Sequence, residues 1–117
     1  METNLNDLLI ANLLRVFNER DRSKRDEAIS ELWHQDCVFV DPEGIHRGQT
    51  ALNAAIDAVH VLFPSFSFSP NSSVQEMNGV GRLSWALGPT DGPPSVHGLD
   101  VGVASDGKIS SLYAFVD

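Results

Sequence analysis

Two aspartates stand at the ends or in the middle of stretches that otherwise read as apolar strands, and they are the side chains in this sequence best placed to do chemistry. Asp100 lies within Leu99-Asp100-Val101-Gly102-Val103, and Asp41 closes Cys37-Val38-Phe39-Val40-Asp41. A carboxyl buried beside aromatic and apolar groups has its pKa raised. Two carboxyls in one cavity drive their pKa values apart, so that one serves as a base while the other donates a proton or a hydrogen bond. Alternation along a strand puts Leu99, Val101 and Val103 on one face and Gly98, Asp100 and Gly102 on the other. On periodicity alone, the plain reading is that Asp100 faces water on an amphipathic strand. Asp41 shares a face with Cys37 and Phe39, which is expected to be buried, but an aspartate before a proline is also ordinary turn chemistry. Nothing in the spacing brings the two carboxyls together.

Other chemistries find less support. The four histidines, His34, His46, His60 and His97, are scattered, with no pair three or four apart on one helix, and Cys37 is the single cysteine. No metal site, disulfide or cofactor is therefore expected. His97 enters the same strand as Asp100, but three residues apart on a strand means opposite faces. There is no Gly-x-Ser-x-Gly elbow, and Gly79-Val80-Gly81 belongs to a hairpin rather than to a phosphate loop. Trp33, Trp85 and Tyr113 read first as core or interface residues, and Arg82 suits either a pocket or solvent. With 8 basic and 16 acidic residues the net charge is −8, which repels phosphate backbones and argues against a nucleic-acid partner. Five of the eight basic residues fall between Arg15 and Arg25, a cluster that reads as a solvated helix junction.

The elements that must position these residues are legible from period and punctuation. Leu5, Leu8, Leu9, Leu13, Val16 and Phe17 give an apolar helical stripe over about residues 4 to 20, with Asn4 or Asn6 as its cap. Ser23, followed by Asp26, resembles a capping box for a second helix running to about His34 and burying Ala28, Ile29, Leu32 and Trp33. Cys37 to Asp41 reads as a strand ended by Pro42, and Asp41-Pro42-Glu43-Gly44 as a turn. A third helix after Gly48 buries Leu52, Ala55, Ile56, Val59 and Phe63 and stops at Pro64. The period then changes to two. Phe66 and Phe68 alternate with serines, and Asn78-Gly79 and Asp106-Gly107 are hairpin signals. Strands are expected over Gly81 to Leu87, Val96 to Ala104 and Lys108 to Val116, with a loop over Gly88 to Pro94. Helices first and antiparallel hairpins after make an α+β pattern, with the helices on one sheet face.

At 117 residues the chain is expected to be one domain, 1–117, large enough to bury roughly two-thirds of the surface its unfolded form exposes. A hydrophobic fraction of 42% with 21% charged residues is ordinary for a folded protein. No apolar run approaches the ~20 residues of a membrane span, so no membrane partner is expected. The start, METNLNDLLI, lacks the basic residues and long apolar core of a secretory signal, and a cytoplasmic location follows as an expectation.

The order of helices, the segment Asp36-Cys37-Val38-Phe39-Val40-Asp41-Pro42-Glu43-Gly44 leading to Arg47-Gly48, and the closing Gly98-Leu99-Asp100-Val101 with Asp106-Gly107-Lys108-Ile109 resemble the SnoaL-like branch of the nuclear-transport-factor-2-like superfamily. The resemblance covers nearly the whole chain. It implies a cone-shaped α+β barrel, three N-terminal helices packed on a curved, mostly antiparallel sheet, usually as a homodimer, with a pocket between sheet and helices. It also reverses the periodicity reading of Asp100. In the polyketide cyclases of that family the aspartate of Gly-x-Asp-Val points into the pocket as the acid/base residue, and in the related ketosteroid isomerases an aspartate at a similar place stays protonated and hydrogen-bonds the developing oxyanion. Asp41 is similar to the isomerases' general base. The resemblance thus implies Asp41 as base and Asp100 as acid, in a pocket lined by Phe17, Trp33, Phe39, Ile56, Trp85, Leu112 and Val116.

This sequence departs from the pattern in ways that bear on function. Phe17 stands where the isomerases carry an oxyanion-binding tyrosine, and Trp33 and Ile56 stand where they carry supporting tyrosines. Trp85-Ala86-Leu87-Gly88 offers no counterpart to the cyclases' histidine. The Arg and Asp of the related epoxide hydrolases are matched at most by Arg82 and Asp100. The expected pocket is apolar and poor in donors, suited to a hydrophobic ligand. The expected function is cofactor-independent acid/base chemistry of the cyclase or isomerase kind on a small hydrophobic carbonyl compound. The alternatives are a non-catalytic dimeric module that binds a small apolar molecule, or an epoxide hydrolase or dehydratase. For the dimer, the outer face carrying Leu99, Val101, Tyr113 and Phe115 is the expected partner surface, because both faces of the last two strands are apolar.

Overall fold

A computed structural model describes residues 4–117; residues 1–3, which open the segment read above for a secretory signal, lie outside it. The first apolar stripe buries Leu5, Leu8, Leu9, Leu13, Val16 and Phe17 on one side of a helix. That helix, α1, runs Leu5–Ala11 and continues as a π-helical stretch over Asn12–Phe17, so it ends short of residue 20. Asn4 caps it, its Oδ1 accepting the Asp7 backbone N–H at 2.8 Å. The wider π turn buries Asn12, whose Oδ1 accepts the Trp33 indole N–H at 2.8 Å. The second helix, α2, spans Arg22–Leu32 and is capped by Asp21 rather than Ser23: Asp21 Oδ1 accepts the N–H groups of Ser23 and Lys24 at 2.9 and 3.2 Å. A carboxylate there also meets the positive end of the helix.

Strand β1, Trp33–Asp41, follows α2 directly and begins before the expected Cys37. Its pairing with the last strand shifts register between Trp33 and Val38, and this irregularity breaks the alternation that would have marked the start. The turn at Asp41–Gly44 leads into a short strand the sequence did not reveal, β2, Gly44–Arg47, antiparallel to β1 with Phe39 opposite His46. Helix α3, Gln49–Leu62, buries Leu52, Ala55 and Ile56 and stops before Pro64. Then come β3 (Phe66–Pro70), β4 (Gln75–Met77), β5 (Val80–Pro89), β6 (Val96–Ser105) and β7 (Lys108–Val116). Both hairpin signals hold: Asn78 and Gly79 have φ of 48° and 82°, Asp106 and Gly107 of 53° and 77°. Two consecutive left-handed residues are what a primed two-residue turn requires.

The strands form one sheet in the order β2-β1-β7-β6-β5-β3, with β4 also on β5. Only β1 and β7 run parallel, so the sheet is mixed and mostly antiparallel, curved around the three helices that cover one face. This is the expected α+β class. The inner face of β5 and β6 carries glycines because other elements come close to it. A Cβ at Gly81 would sit 2.9 Å from Leu5 Cδ2, and one at Gly102 would sit 2.8 Å from Leu9 Cδ2. The first helix therefore lies almost on the strand backbone, and its leucines supply the apolar atoms that these strand positions lack.

Arg15, Arg20, Arg22 and Lys24 are exposed, as a solvated helix junction requires, and Arg25 is the exception in this cluster. Arg25 is fully buried between α2 and α3, where its guanidinium donates to Asn53 Oδ1 at 2.5 Å, to the Glu19 carbonyl at 2.8 Å, and to Asp57 Oδ1. A cation enters the interior only with such a set of acceptors. Arg20 donates to the carbonyls of Phe63 and Phe66 at 3.0 and 2.7 Å and so fixes the corner where α3 passes into β3.

Candidate active site

Between the helices and the inner sheet face lies a cavity of about 580 Å³. Its wall is a run of aromatic rings in edge-to-face contact. Phe39 meets Phe17 at a centroid distance of 5.5 Å, Phe17 meets Phe68 at 5.7 Å, and Phe68 meets Trp85 at 5.2 Å. Asn18 ties two of these elements together, since its Nδ2 donates to the Phe68 carbonyl and its Oδ1 accepts the Phe68 N–H, at 2.9 and 2.6 Å. The Arg20-fixed corner places Leu62 and Phe63 on the same wall. Glu43, Ser95, His97 and Asp117 are exposed where the cavity meets solvent. Among the described residues, no lysine or arginine lines it.

Asp100 sits on the inner face of β6, between Leu83 of β5 and Ala114 of β7. It is only 4% exposed and lines the cavity. The periodicity reading of a water-facing Asp100 is thus overturned: Gly98, Asp100 and Gly102 form the buried face, and Leu99, Val101 and Val103 the half-exposed one. Asp100 Oδ1 accepts the indole N–H of Trp85 at 2.9 Å, and no protein donor among the described residues reaches Oδ2. Burial pushes the Asp100 pKa up to about 7, and the Trp85 hydrogen bond offsets only part of that rise. The carboxyl is therefore poised to gain and lose a proton near neutrality.

Asp41 lines the same cavity from the end of β1. Its Oδ1 gathers three donors, namely the N–H groups of Glu43 and Gly44 at 3.0 and 3.2 Å and His46 Nε2 at 3.0 Å. Both readings of Asp41 hold at once, because one oxygen builds the turn while the residue still faces the cavity. His46, which stacks on Phe39 at 5.5 Å, was not distinguishable from the other scattered histidines. Its place depends on the hairpin to β2, and only that unrecognised strand would have set it opposite Phe39.

The other expected lining residues divide. Phe17, Phe39, Trp85 and Val116 line the cavity. Trp33, Ile56 and Leu112 do not: each is fully buried in the core beneath the helices. Trp33 is held there by Asn12, and Ile56 lies on the face of α3 turned to the core, whereas Val59 and Leu62 of its last turn and Phe63 just after it reach the cavity. Phe68, which the serine-phenylalanine alternation marked only as a strand residue, completes the aromatic wall. Arg82 points outward and is exposed. His97 is exposed at the cavity mouth on the strand face opposite Asp100. Among the described residues, no group of three or more His, Cys, Asp and Glu side chains is placed to hold a metal ion, and no helix is long and apolar enough to cross a membrane.

Comparison with known proteins gives this geometry a context. The model of a protein family described as a SnoaL-like domain matches residues 10–112. Among solved structures, a candidate isomerase of the SnoaL-like family from Agrobacterium tumefaciens is 28% identical, with 94% of this chain and 96% of that chain covered and a TM-score of 0.85. IdmH, a candidate polyketide cyclase from Streptomyces antibioticus, is 17% identical over 97% of this chain and 93% of its own, with a TM-score of 0.72. An NTF2-like protein of unknown function from Cytophaga hutchinsonii is 14% identical over 100% of this chain and 95% of its own, at a TM-score of 0.71. The last two show the shared fold and carry no chemistry across. No curated protein matches the sequence.

Proposed function

This chain belongs to the SnoaL-like domain family, and we propose that it is an enzyme of the isomerase or cyclase kind, moving protons on a small hydrophobic carbonyl compound without a cofactor. The observation that carries this reading is a carboxyl with a pKa near 7, buried at the wall of an aromatic cavity that, among the described residues, no lysine or arginine lines. An apolar wall selects a hydrophobic ligand, and the absence of lysine and arginine disfavours one bearing a carboxylate or phosphate.

In this reading neutral Asp100 donates a hydrogen bond from Oδ2 to the ligand's carbonyl oxygen. Asp41 removes a proton from the adjacent carbon through the oxygen its turn leaves free. The electron pair of the broken C–H bond moves onto the carbonyl, and Asp100 stabilises or protonates the resulting oxygen. Return of a proton to carbon completes an isomerisation, and attack of that carbon on a second carbonyl completes a cyclisation. Acid/base assistance of this kind contributes about 10²–10⁴-fold each, enough for a carbon already acidified by its neighbour. We also propose that the protein works as a homodimer through the outer sheet face, where Leu99 pairs with Phe115 and Val101 with Tyr113, and where Tyr113 and Phe115 are well exposed.

The test uses β-tetralone, a bicyclic ketone with an acidic CH₂ beside its carbonyl, and follows exchange of those hydrogens in deuterium oxide by NMR. The protein is expected to accelerate exchange over buffer, and Asp41→Asn to reduce that acceleration by about 10²-fold or more. Tight binding of the ketone with no acceleration would instead support the non-catalytic binding module.

A further inference from the structure

We infer that Trp85 is a positioning residue that gives the two oxygens of Asp100 separate tasks, holding Oδ1 as a permanent acceptor and making Oδ2 the atom that carries the proton into the cavity. The use of that proton in catalysis rests on the function proposed above, whereas its location does not.

An indole N–H can donate but has no lone pair with which to accept. It lies 2.9 Å from Oδ1, and both side chains are buried. A hydroxyl oxygen accepts more weakly than a carbonyl oxygen, so a proton on Oδ1 would weaken the indole bond, whereas a proton on Oδ2 leaves the better acceptor facing the N–H. The neutral carboxyl therefore keeps its proton on Oδ2. The flanking strand partners Leu83 and Ala114 offer no polar side chain, so among the described residues nothing competes for either oxygen.

The placement of the indole is built into the sheet. Trp85 of β5 pairs with Gly98 of β6, which precedes Asp100 by one step on the same face. A Cβ at Gly98 would lie 2.2 Å from Trp85 Cζ2, so the ring rests on the bare backbone of the strand that carries Asp100. Phe68 holds it from the side, edge-on at 5.2 Å and 77°. The same indole bond persists whether Asp100 is neutral or ionised. The carboxyl can thus exchange its proton without turning, and the geometry is set before a ligand arrives.

The other titratable groups on the cavity are Asp41 and Glu43 at the β1–β2 turn, His97 on the opposite face of β6, and Asp117 at the mouth. None of them bonds to Trp85 or Asp100. The experiment is an NMR titration of the ligand-free full chain, observing the Asp100 carboxyl carbon and the two indole N–H signals. Trp85→Phe identifies the Trp85 signal by its loss. The Trp85 N–H is expected to shift with the same midpoint as the Asp100 carboxyl, and still to do so in His97→Asn. The Trp33 N–H, bonded to neutral Asn12, is expected to stay still. In Trp85→Phe the Asp100 midpoint is expected to rise by about one unit, because a bond that favours the ionised form is gone. A Trp85 signal that does not follow Asp100, or a midpoint in Trp85→Phe that is unchanged or lower, overturns the inference. The titration needs no substrate, so it can succeed while the tetralone test fails, and the two ideas stand or fall separately.

Discussion

Replacing Asp100 by asparagine is expected to make the protein more stable above neutral pH and to leave it nearly unchanged in acid. Asparagine keeps the size of the side chain and can still accept the Trp85 N–H through its own Oδ1, so the change removes little besides the ionisable proton. Burial raises the Asp100 pKa from an ordinary value of 3.8 to about 7. At about pH 3 or below, both folded and unfolded chains carry the proton, and Asp100 costs nothing differential. Between those two pKa values the unfolded chain releases its proton while the folded chain retains it, so stability falls as pH rises, by ~1.4 kcal/mol per unit. Above the folded pKa the loss is complete, at about 4 kcal/mol as an upper limit. Asp100→Asn escapes this loss. Urea unfolding of both proteins, followed by tryptophan fluorescence at several pH values and one protein concentration, reads the difference directly. The gap is expected to open from near zero at about pH 4 to a few kcal/mol in favour of asparagine at about pH 8. A gap that does not change with pH would mean that Asp100 ionises like a solvated carboxylate, and the reasoning about the cavity would be wrong.

Three further outcomes follow from the packing. Arg25→Met is expected to lower stability by about 3 kcal/mol in urea unfolding, because Asn53 Oδ1 and the Glu19 carbonyl lose their donor, while Asp57 can still pair with Arg22. Gly98→Ala is expected to cost about 1–3 kcal/mol in thermal unfolding, since its methyl would collide with the Trp85 ring; an unaltered Tm would contradict the close approach of ring and strand. Light scattering at micromolar concentration is expected to give the mass of a dimer, and Tyr113→Lys that of a monomer; a monomeric parent protein would refute the outer-face interface.

The fold was legible because its elements are written in period and punctuation. The leucine stripe of α1, the apolar face of α3 before Pro64, and the two left-handed turns at Asn78-Gly79 and Asp106-Gly107 each specify local geometry on their own. The site was legible only in part, and Asp100 shows why. Its strand face reads Gly-x-Asp-x-Gly, which looks polar, yet it is buried because Leu9 and Trp85 fill the space that the glycines leave. Burial there is conferred by residues far away in sequence, so local alternation pointed the wrong way and only the family resemblance turned it inward. The same cause hid His46, whose position depends on an unrecognised hairpin strand, and Arg25, whose burial depends on acceptors from α3. Apolar character does not distinguish a cavity wall from the core behind it, so Trp33, Ile56 and Leu112 read in sequence like lining residues although they are buried in the core.

If Asp100 acts as the acid of a carbonyl-processing pocket, the pH dependence of β-tetralone exchange follows its protonation. Exchange catalysed by the parent protein is expected to decline as pH rises through about 7, where Asp100 loses its proton, and the decline is expected to be absent in Asp100→Asn. Catalysis that continues undiminished above that pH, or that declines identically in Asp100→Asn, would contradict that role for Asp100.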